Sequence, residues 1–91
     1  MNCLGGIVFM VENEFNNFLD SIVLKVKYHR KKRDISQLKL AHILNQSSPN
    51  YIAKIETRKH NVTYNLKHLY IIAIEFDVDI VELIPSFKDG E

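Results

Sequence analysis

Residues 36–57 read SQLKLAHILNQSSPNYIAKIET, which is two helix-forming segments separated by a polar turn. Ser36 is a favourable N-cap, because its hydroxyl can accept a hydrogen bond from a backbone N–H in the first turn of a helix. Leu40, Ile43 and Leu44 follow at helical spacing and supply one inner face. The stretch therefore predicts a helix that begins after Ser36 and ends near Leu44, at Asn45-Gln46.

A second helix is predicted after a turn of three to four residues. Ser47 and Ser48 each offer an N-cap, and Pro49 suits the first helical position, where a missing N–H costs nothing. This helix spans about residues 48–57, with Tyr51 or Ile52 turned inward. Two short helices joined by a tight turn form a helix-turn-helix pattern, so residues 36–57 predict that motif.

The segment before the motif divides into two parts. Apolar residues recur at helical spacing from Phe15 onward and predict a helix over about residues 15–33. The preceding Gly5-Gly6 and the apolar run Ile7–Val11 predict a short strand or an ordered arm. Residues 1–14 are accordingly assigned to an N-terminal arm.

The segment after the motif predicts two more helices. A fourth helix follows a polar loop, with these candidate core positions: Leu66, Leu69, Tyr70, Ala73, Ile74 and Phe76. Asp79 can cap a short fifth helix that runs through Leu83 or Ile84 and is closed by Pro85. The predicted fold class is all-α, with five helices in residues 15–85 and a C-terminal tail over residues 86–91.

The charge of the chain is unevenly distributed, although its sum is only +1. Residues 25–59 hold ten of the twelve Lys and Arg residues and two acidic residues, a net charge of +8. The remainder holds two basic and nine acidic residues, a net charge of −7. Such asymmetry indicates a surface that faces a polyanion and an acidic surface on the other side.

The composition excludes several classes of protein. Cys3 is the single cysteine and closes no intramolecular disulfide, and the four histidines share no metal-ligand spacing. The sequence contains no Gly-rich phosphate loop and no nucleophile elbow, so we predict no enzyme, no cofactor and no metal. The apolar run Leu4–Val11 is far shorter than the ~20 residues of a membrane-spanning helix. We expect a cytoplasmic protein that does not contact a membrane.

Side chains of the second motif helix have the chemistry of base recognition. Asn pairs in bidentate fashion with adenine and Lys with guanine in the major groove. Lys54 follows Asn50 by four residues, so both lie on one face of the helix. Gln37 follows the cap of the preceding helix, where its amide can reach a phosphate. We count Ser47, Ser48, Pro49, Tyr51, Arg58 and Lys59 as further candidate DNA-binding residues.

Three stretches of the sequence resemble the lambda-repressor-like, or XRE-family, DNA-binding domain. They are Ile35-Ser36-Gln37 with Leu40-Ala41, then residues 48–56, then Asp77-Val78 with residues 80–84. The resemblance covers about residues 16–85 and implies the five-helix order of that family. It further implies that Gln37 contacts phosphate and that Pro49, Asn50 and Lys54 face the bases. Residues 60–69, HNVTYNLKHL, are similar to a subgroup of small bacterial members.

The resemblance also implies a pairing of Arg30 with Glu56 that ties the first helix to the third. A purely structural role is the more common one for such a pair. Tyr51 is open to two interpretations, a hydroxyl that contacts phosphate or a core aromatic. Asn45-Gln46 replaces the glycine that the family often has in the turn, and the turn is interpreted as one residue longer. Pro49 can offer only apolar contact to a base.

The sequence predicts sequence-specific binding of double-stranded DNA by a small transcriptional regulator of the repressor type. An alternative is an antitoxin-like module whose main partner is another protein and whose DNA binding is secondary. A homodimer is expected on DNA, because one helix-turn-helix reads too few base pairs. The predicted dimer contact is either residues 7–11 or the apolar face around Ile80, Leu83 and Ile84.

Overall fold

A computed structural model describes residues 2–59 and 62–86, with side chains from residue 11 onward. The elements are helix α1 (Asn2–Lys32), helix α2 (Gln37–Ile43), helix α3 (Asn50–Thr57), helix α4 (Leu66–Phe76) and a 3₁₀ turn (Ile80–Leu83). The described residues are therefore all-α, as predicted. The predicted fifth helix is instead a single 3₁₀ turn, because Asp79 and Glu82 close a capping box over only four residues.

The predicted strand before residue 15 is wrong, because α1 runs without a break from Asn2 to Lys32, so that the segment assigned to the arm is helical from Asn2 onward. The apolar run at residues 7–11 favours a strand by composition, yet the same residues continue the helical spacing of the segment that follows them. The predicted tail, apart from Ser86, lies outside the described residues.

One core joins all the helices. α1 contributes Ile22, Val23 and Val26, α2 contributes Leu40 and Ala41, and α3 contributes Ile52 and Ile55, all at most 5% exposed. Leu44, Tyr64, Leu69, Ile72, Ala73, Phe76 and Leu83 complete this cluster. Burial of apolar side chains in such a cluster is the main favourable contribution to folding, at roughly 1.5–3 kcal/mol for each large side chain.

The inner face of α4 differs from the predicted one at three positions. Leu66, Tyr70 and Ile74 are 71%, 62% and 61% exposed, whereas Leu69 and Ile72 point into the core. Eight of the eleven residues of α4 are apolar, so the sequence contains two stripes at helical spacing and the packing of α1 and α2 selects one of them. The other stripe is left on the surface.

Three helices are followed within two residues by an Asp or Asn in the left-handed region. Asp34, Asn45 and Asp77 have φ of 55°, 61° and 56°, a conformation that glycine usually supplies. At each of these residues and at the residue that follows it, the backbone N–H donates to a carbonyl of the last helical turn. After α2, Asn45 N donates to His42 O at 2.9 Å and Gln46 N to Ala41 O at 2.7 Å. Asn45 thus replaces the glycine of the turn, because a short polar side chain tolerates this region.

Candidate nucleic-acid interface

The turn between α2 and α3 is built from short-range polar contacts. Ser36 Oγ accepts from Lys39 N at 2.9 Å and begins α2, as the sequence predicts. Ser48 Oγ accepts from Asn50 N at 3.1 Å, so Ser48 supplies the side-chain bond at the start of α3. Pro49 occupies the N-cap position and not the first helical position predicted for it, so α3 begins at Asn50, two residues after the predicted start at residue 48. Residues 44–49 therefore separate the two helices.

Helix α3 has one buried side and one exposed side. Ile52 and Ile55 are fully buried, and Tyr51 packs against the same core while remaining half-buried. Asn50 and Lys54 are exposed and one helical turn apart. Because the inner residues fix the rotation of α3, its outer face presents an amide and an ammonium group to solvent.

The predicted partners Arg30 and Glu56 are in contact. Arg30 Nε donates to Glu56 Oε2 at 2.9 Å and Arg30 Nη2 to Glu56 Oε1 at 3.1 Å, and the two side chains are 8% and 5% exposed. Arg30 Nη1 also donates to the carbonyl of Ile35 at 2.8 Å. The forked guanidinium thereby joins the end of α1, the start of α2 and the end of α3.

Glu56 also holds Gln37. Gln37 Nε2 donates to Glu56 Oε1 at 2.9 Å, which fixes the amide of the first α2 residue against α3. An amide nitrogen carries two hydrogens, so one N–H is engaged by Glu56 and the second can still be donated to a phosphate. The contact with phosphate stays a prediction, but the orientation of Gln37 is now assigned to Glu56.

Two arginines of the basic segment are used inside the fold. Arg33 Nη2 and Nε donate to the carbonyl of Phe76 at 2.7 and 3.1 Å, which caps the end of α4. Arg58 is 13% exposed at its side chain; its Nε donates to Asp20 Oδ1 at 2.6 Å and its Nη1 to the carbonyl of Val62. Arg58 therefore ties the loop after α3 to α1 and does not join the exposed face of α3.

The basic surface consequently consists of lysines. The chain has three arginines, Arg30, Arg33 and Arg58, and all three make contacts within the protein. Six lysines of residues 25–59 are exposed, and they are Lys25, Lys31, Lys32, Lys39, Lys54 and Lys59. Lysine is a point charge on a flexible stem, so the lysines outside α3 suit contacts with backbone phosphates.

The lysines do not all lie on the same side of α1. His29 lies within electrostatic range of Lys25, Lys32 and Glu82, which places this flank of α1 beside the 3₁₀ turn. Arg30 faces α3 instead. Lys25 therefore belongs to the flank away from α3, although it falls within the basic segment of the sequence.

Tyr51 connects α3 to α4. Its hydroxyl lies 3.2 Å from His68 Nδ1, and the two rings meet edge to face with centroids 5.8 Å apart. Burial raises the pKa of the Tyr51 hydroxyl above its ordinary value, which is consistent with a hydroxyl withdrawn from solvent. The geometry favours a packing role for Tyr51. The sequence pattern did not indicate His68 as its partner.

His68 is expected to titrate below its ordinary pKa. Burial is the main cause of the lowered pKa and the charge of Lys67 the second, so folding favours the neutral ring. The stability contributed by the neutral ring is present above the ordinary pKa and is lost as pH falls through the lowered one. NMR titration of the ring protons measures this, and Tyr51→Phe should leave the direction unchanged because burial persists. A pKa of His68 at or above the ordinary value would contradict the prediction.

In residues 2–59 and 62–86, none of the helices combines the length and apolar character that crossing a bilayer requires.

α2, the turn and α3 form a helix-turn-helix, the element by which DNA-binding domains place a helix in the major groove. Residues 26–83 match the helix-turn-helix family profile, which is more than half of the chain. The chain therefore belongs to the XRE, lambda-repressor-like family of helix-turn-helix DNA-binding domains. No curated protein and no solved structure matches it.

Proposed function

We propose that this chain is a cytoplasmic transcriptional regulator that binds a specific sequence of double-stranded DNA as a homodimer. The observation that carries the proposal is the outer face of α3, where Asn50 and Lys54 are exposed while Ile52 and Ile55 lock the helix to the core. Family membership supports DNA binding in general. Base recognition, the regulatory role and the dimer are the parts that we infer.

We assign Asn50 and Lys54 to the recognition of bases, and Gln37 to a phosphate contact that positions the domain on the DNA. Amide and ammonium groups on the exposed face of α3 can donate to base edges in the major groove. Gln37 is held at the start of α2 by Glu56, where a remaining N–H suits a phosphate and carries no base information. Ser47, which is exposed, and Ser48 and Pro49, which are half-buried, flank the entrance of α3 and are proposed as secondary contacts. Lys59 is exposed after α3 and is proposed as a backbone contact.

Selection of bound duplexes from a random DNA pool identifies the preferred site. On that site, Asn50→Ala and Lys54→Ala should each cost roughly 1–3 kcal/mol and relax the preference at particular base pairs. Gln37→Ala should weaken matched and scrambled duplexes about equally, because a phosphate contact is independent of sequence. Fluorescence anisotropy with both duplexes measures the ratio of the two affinities.

Lys25→Ala is the matched control, since it removes a lysine from the flank of α1 beside the 3₁₀ turn. It should leave the ratio of matched to scrambled affinity unchanged. If Asn50→Ala and Lys54→Ala also leave this ratio unchanged, the outer face of α3 does not read the bases. A chain that selects no duplex from the pool would remove sequence-specific binding altogether.

A further inference from the structure

His68 is the one residue of α4 that forms a hydrogen bond with α3, among the residues that the structure describes. Its Nδ1 lies 3.2 Å from the hydroxyl of Tyr51, and the two rings meet edge to face. Tyr51 is the second residue of α3 and directly follows Asn50, whose side chain is exposed. The imidazole ring therefore lies beside the first turn of the helix that the proposed function places in the major groove.

The bond between His68 and Tyr51 suits both protonation states of the ring. A phenolic hydroxyl can donate and accept, so Tyr51 can donate to Nδ1 of the neutral ring while Nε2 carries the hydrogen. In the protonated ring both nitrogens donate, and the hydroxyl oxygen accepts from Nδ1 instead. Nε2 forms no hydrogen bond with the described residues. The ring can therefore take up a proton without leaving α3, and Nε2 is free to donate outside the domain.

The surroundings of His68 leave its charged form uncompensated. The titratable or charged groups that face the ring are Tyr51 from α3 and Lys67 from its own helix. Burial and the charge of Lys67 lower the pKa of His68, and no carboxylate of the described residues opposes them. The lowered pKa of His29, in contrast, is opposed by the charge of Glu82. An anion that compensates a charged His68 has to come from outside the domain.

Bound DNA supplies such an anion at this position. The major groove is about 12 Å wide, so a helix inside it lies between two rows of phosphates. Charges interact over about 10 Å at 0.1 M salt, and His68 contacts a side chain in the first turn of α3. Lys67 is exposed beside the same ring and lies outside the basic segment of residues 25–59. Its ammonium group attracts a phosphate to the side of the domain where His68 lies.

We propose that His68 takes up a proton when the chain binds DNA, so that affinity for DNA rises as pH falls. The proposal rests on the proposed function, because DNA phosphates supply the compensating charge. A group that binds more protons in the complex than in the free chain raises the affinity as pH decreases. At low pH the gain is that of one imidazolium–phosphate pair, roughly fivefold per protomer at 4 Å in water. At about pH 8 the ring is neutral with and without DNA, so lysines alone neutralise phosphates there.

The gain is measured by fluorescence anisotropy of the full-length chain at fixed salt, from about pH 8 to about pH 5.5, a range that includes the ordinary pKa of histidine. A scrambled duplex suffices, because contacts with phosphate are independent of sequence. His68→Gln keeps an amide that can accept from Tyr51 but does not titrate, so its gain should be about fivefold smaller per protomer than that of the wild type. Circular dichroism at each pH verifies that the chain is folded.

His29→Gln is the matched control. His29 is also half-buried with a lowered pKa, but its Nδ1 contacts Arg33 on the flank of α1 beside the 3₁₀ turn. This variant should keep the gain of the wild type. NMR titration of the wild-type ring protons with and without DNA should give a higher pKa for His68 in the complex, and it needs no substitution that could impair folding.

The proposal is overturned by a pKa of His68 that is unchanged or lower in the complex, by equal gains for the wild type and His68→Gln, or by equal losses for His68→Gln and His29→Gln. Failure of the proposed function gives a different result. A chain that binds matched and scrambled duplexes equally, yet shows the gain at His68, would contradict base recognition and support proton uptake. A chain that binds no duplex at any pH would contradict both.

Discussion

Replacing Arg30 by Ala is expected to lower the free energy of unfolding by about 3–5 kcal/mol. The substitution leaves the carboxylate of Glu56, 5% exposed at its side chain, without its charged partner, and removal of one member of a buried pair costs about that much. The carbonyl of Ile35 loses its donor as well. Since domains of this kind are stable by roughly 5–15 kcal/mol, the variant should be substantially unfolded in mild urea. Urea titration followed by circular dichroism measures the loss.

The double variant Arg30→Met, Glu56→Leu is the control for this prediction. Replacing both charges by apolar side chains of similar volume is often neutral or stabilising, because no buried charge is left unpaired. We therefore expect the double variant to be far more stable than Arg30→Ala, with an unchanged dependence on urea. Equal destabilisation of the two variants would show that the unpaired charge of Glu56 does not carry the effect, and would assign it to the hydrogen bond from Arg30 to the carbonyl of Ile35, which both variants lack.

The double variant also tests the assignment of Gln37. Without Glu56, the Gln37 amide loses its 2.9 Å partner and is no longer oriented at the start of α2. DNA affinity should then fall about equally for matched and scrambled duplexes, although the domain stays folded. A loss confined to the matched duplex would instead assign Gln37 to base reading.

The local signals in the sequence were sufficient to place the motif. These signals depend only on residues within one or two turns. Ser36 marks the cap of α2, the helical spacing around Leu40 gives the core side of α2, and Asp79 marks the start of the 3₁₀ turn. The contact between Arg30 and Glu56, which are 26 residues apart, was predicted from the family resemblance. Membership of the family is confirmed by the match over residues 26–83.

The parts that sequence alone could not predict depend on distant contacts. Arg33 and Arg58 read as members of a basic run, yet their partners Phe76 and Asp20 lie 43 and 38 residues away. No pattern in the run distinguishes an arginine that caps a distant helix from one that faces solvent. The same holds for Leu83, which the sequence offers to a dimer contact with Ile80 and Ile84 but which α1 and α4 bury completely; the dimer contact itself stays a prediction.

Affinity for DNA should fall steeply with salt, and lysines alone should set the slope. Each phosphate that a lysine neutralises releases about 0.9 counterion on B-DNA. About four such contacts per protomer, or eight per pair, give a loss of roughly 10³–10⁵ in affinity between 50 and 200 mM salt. The internal contacts of Arg30, Arg33 and Arg58 exclude them from this count.

Single lysine variants divide this slope between the two flanks of the domain. Lys39 and Lys59 are exposed on α2 and just after α3, so Lys39→Ala and Lys59→Ala should each lower the slope by about 0.9 per protomer. Lys25→Ala, one helical turn before His29 and on the side of α1 away from Arg30 and α3, should leave it unchanged. A flat plot of log K against log salt would remove DNA as the partner of this surface. If Lys25→Ala lowers the slope as much as the other two variants do, every lysine contributes regardless of its position. DNA would then respond to the overall positive charge and not to a defined binding face.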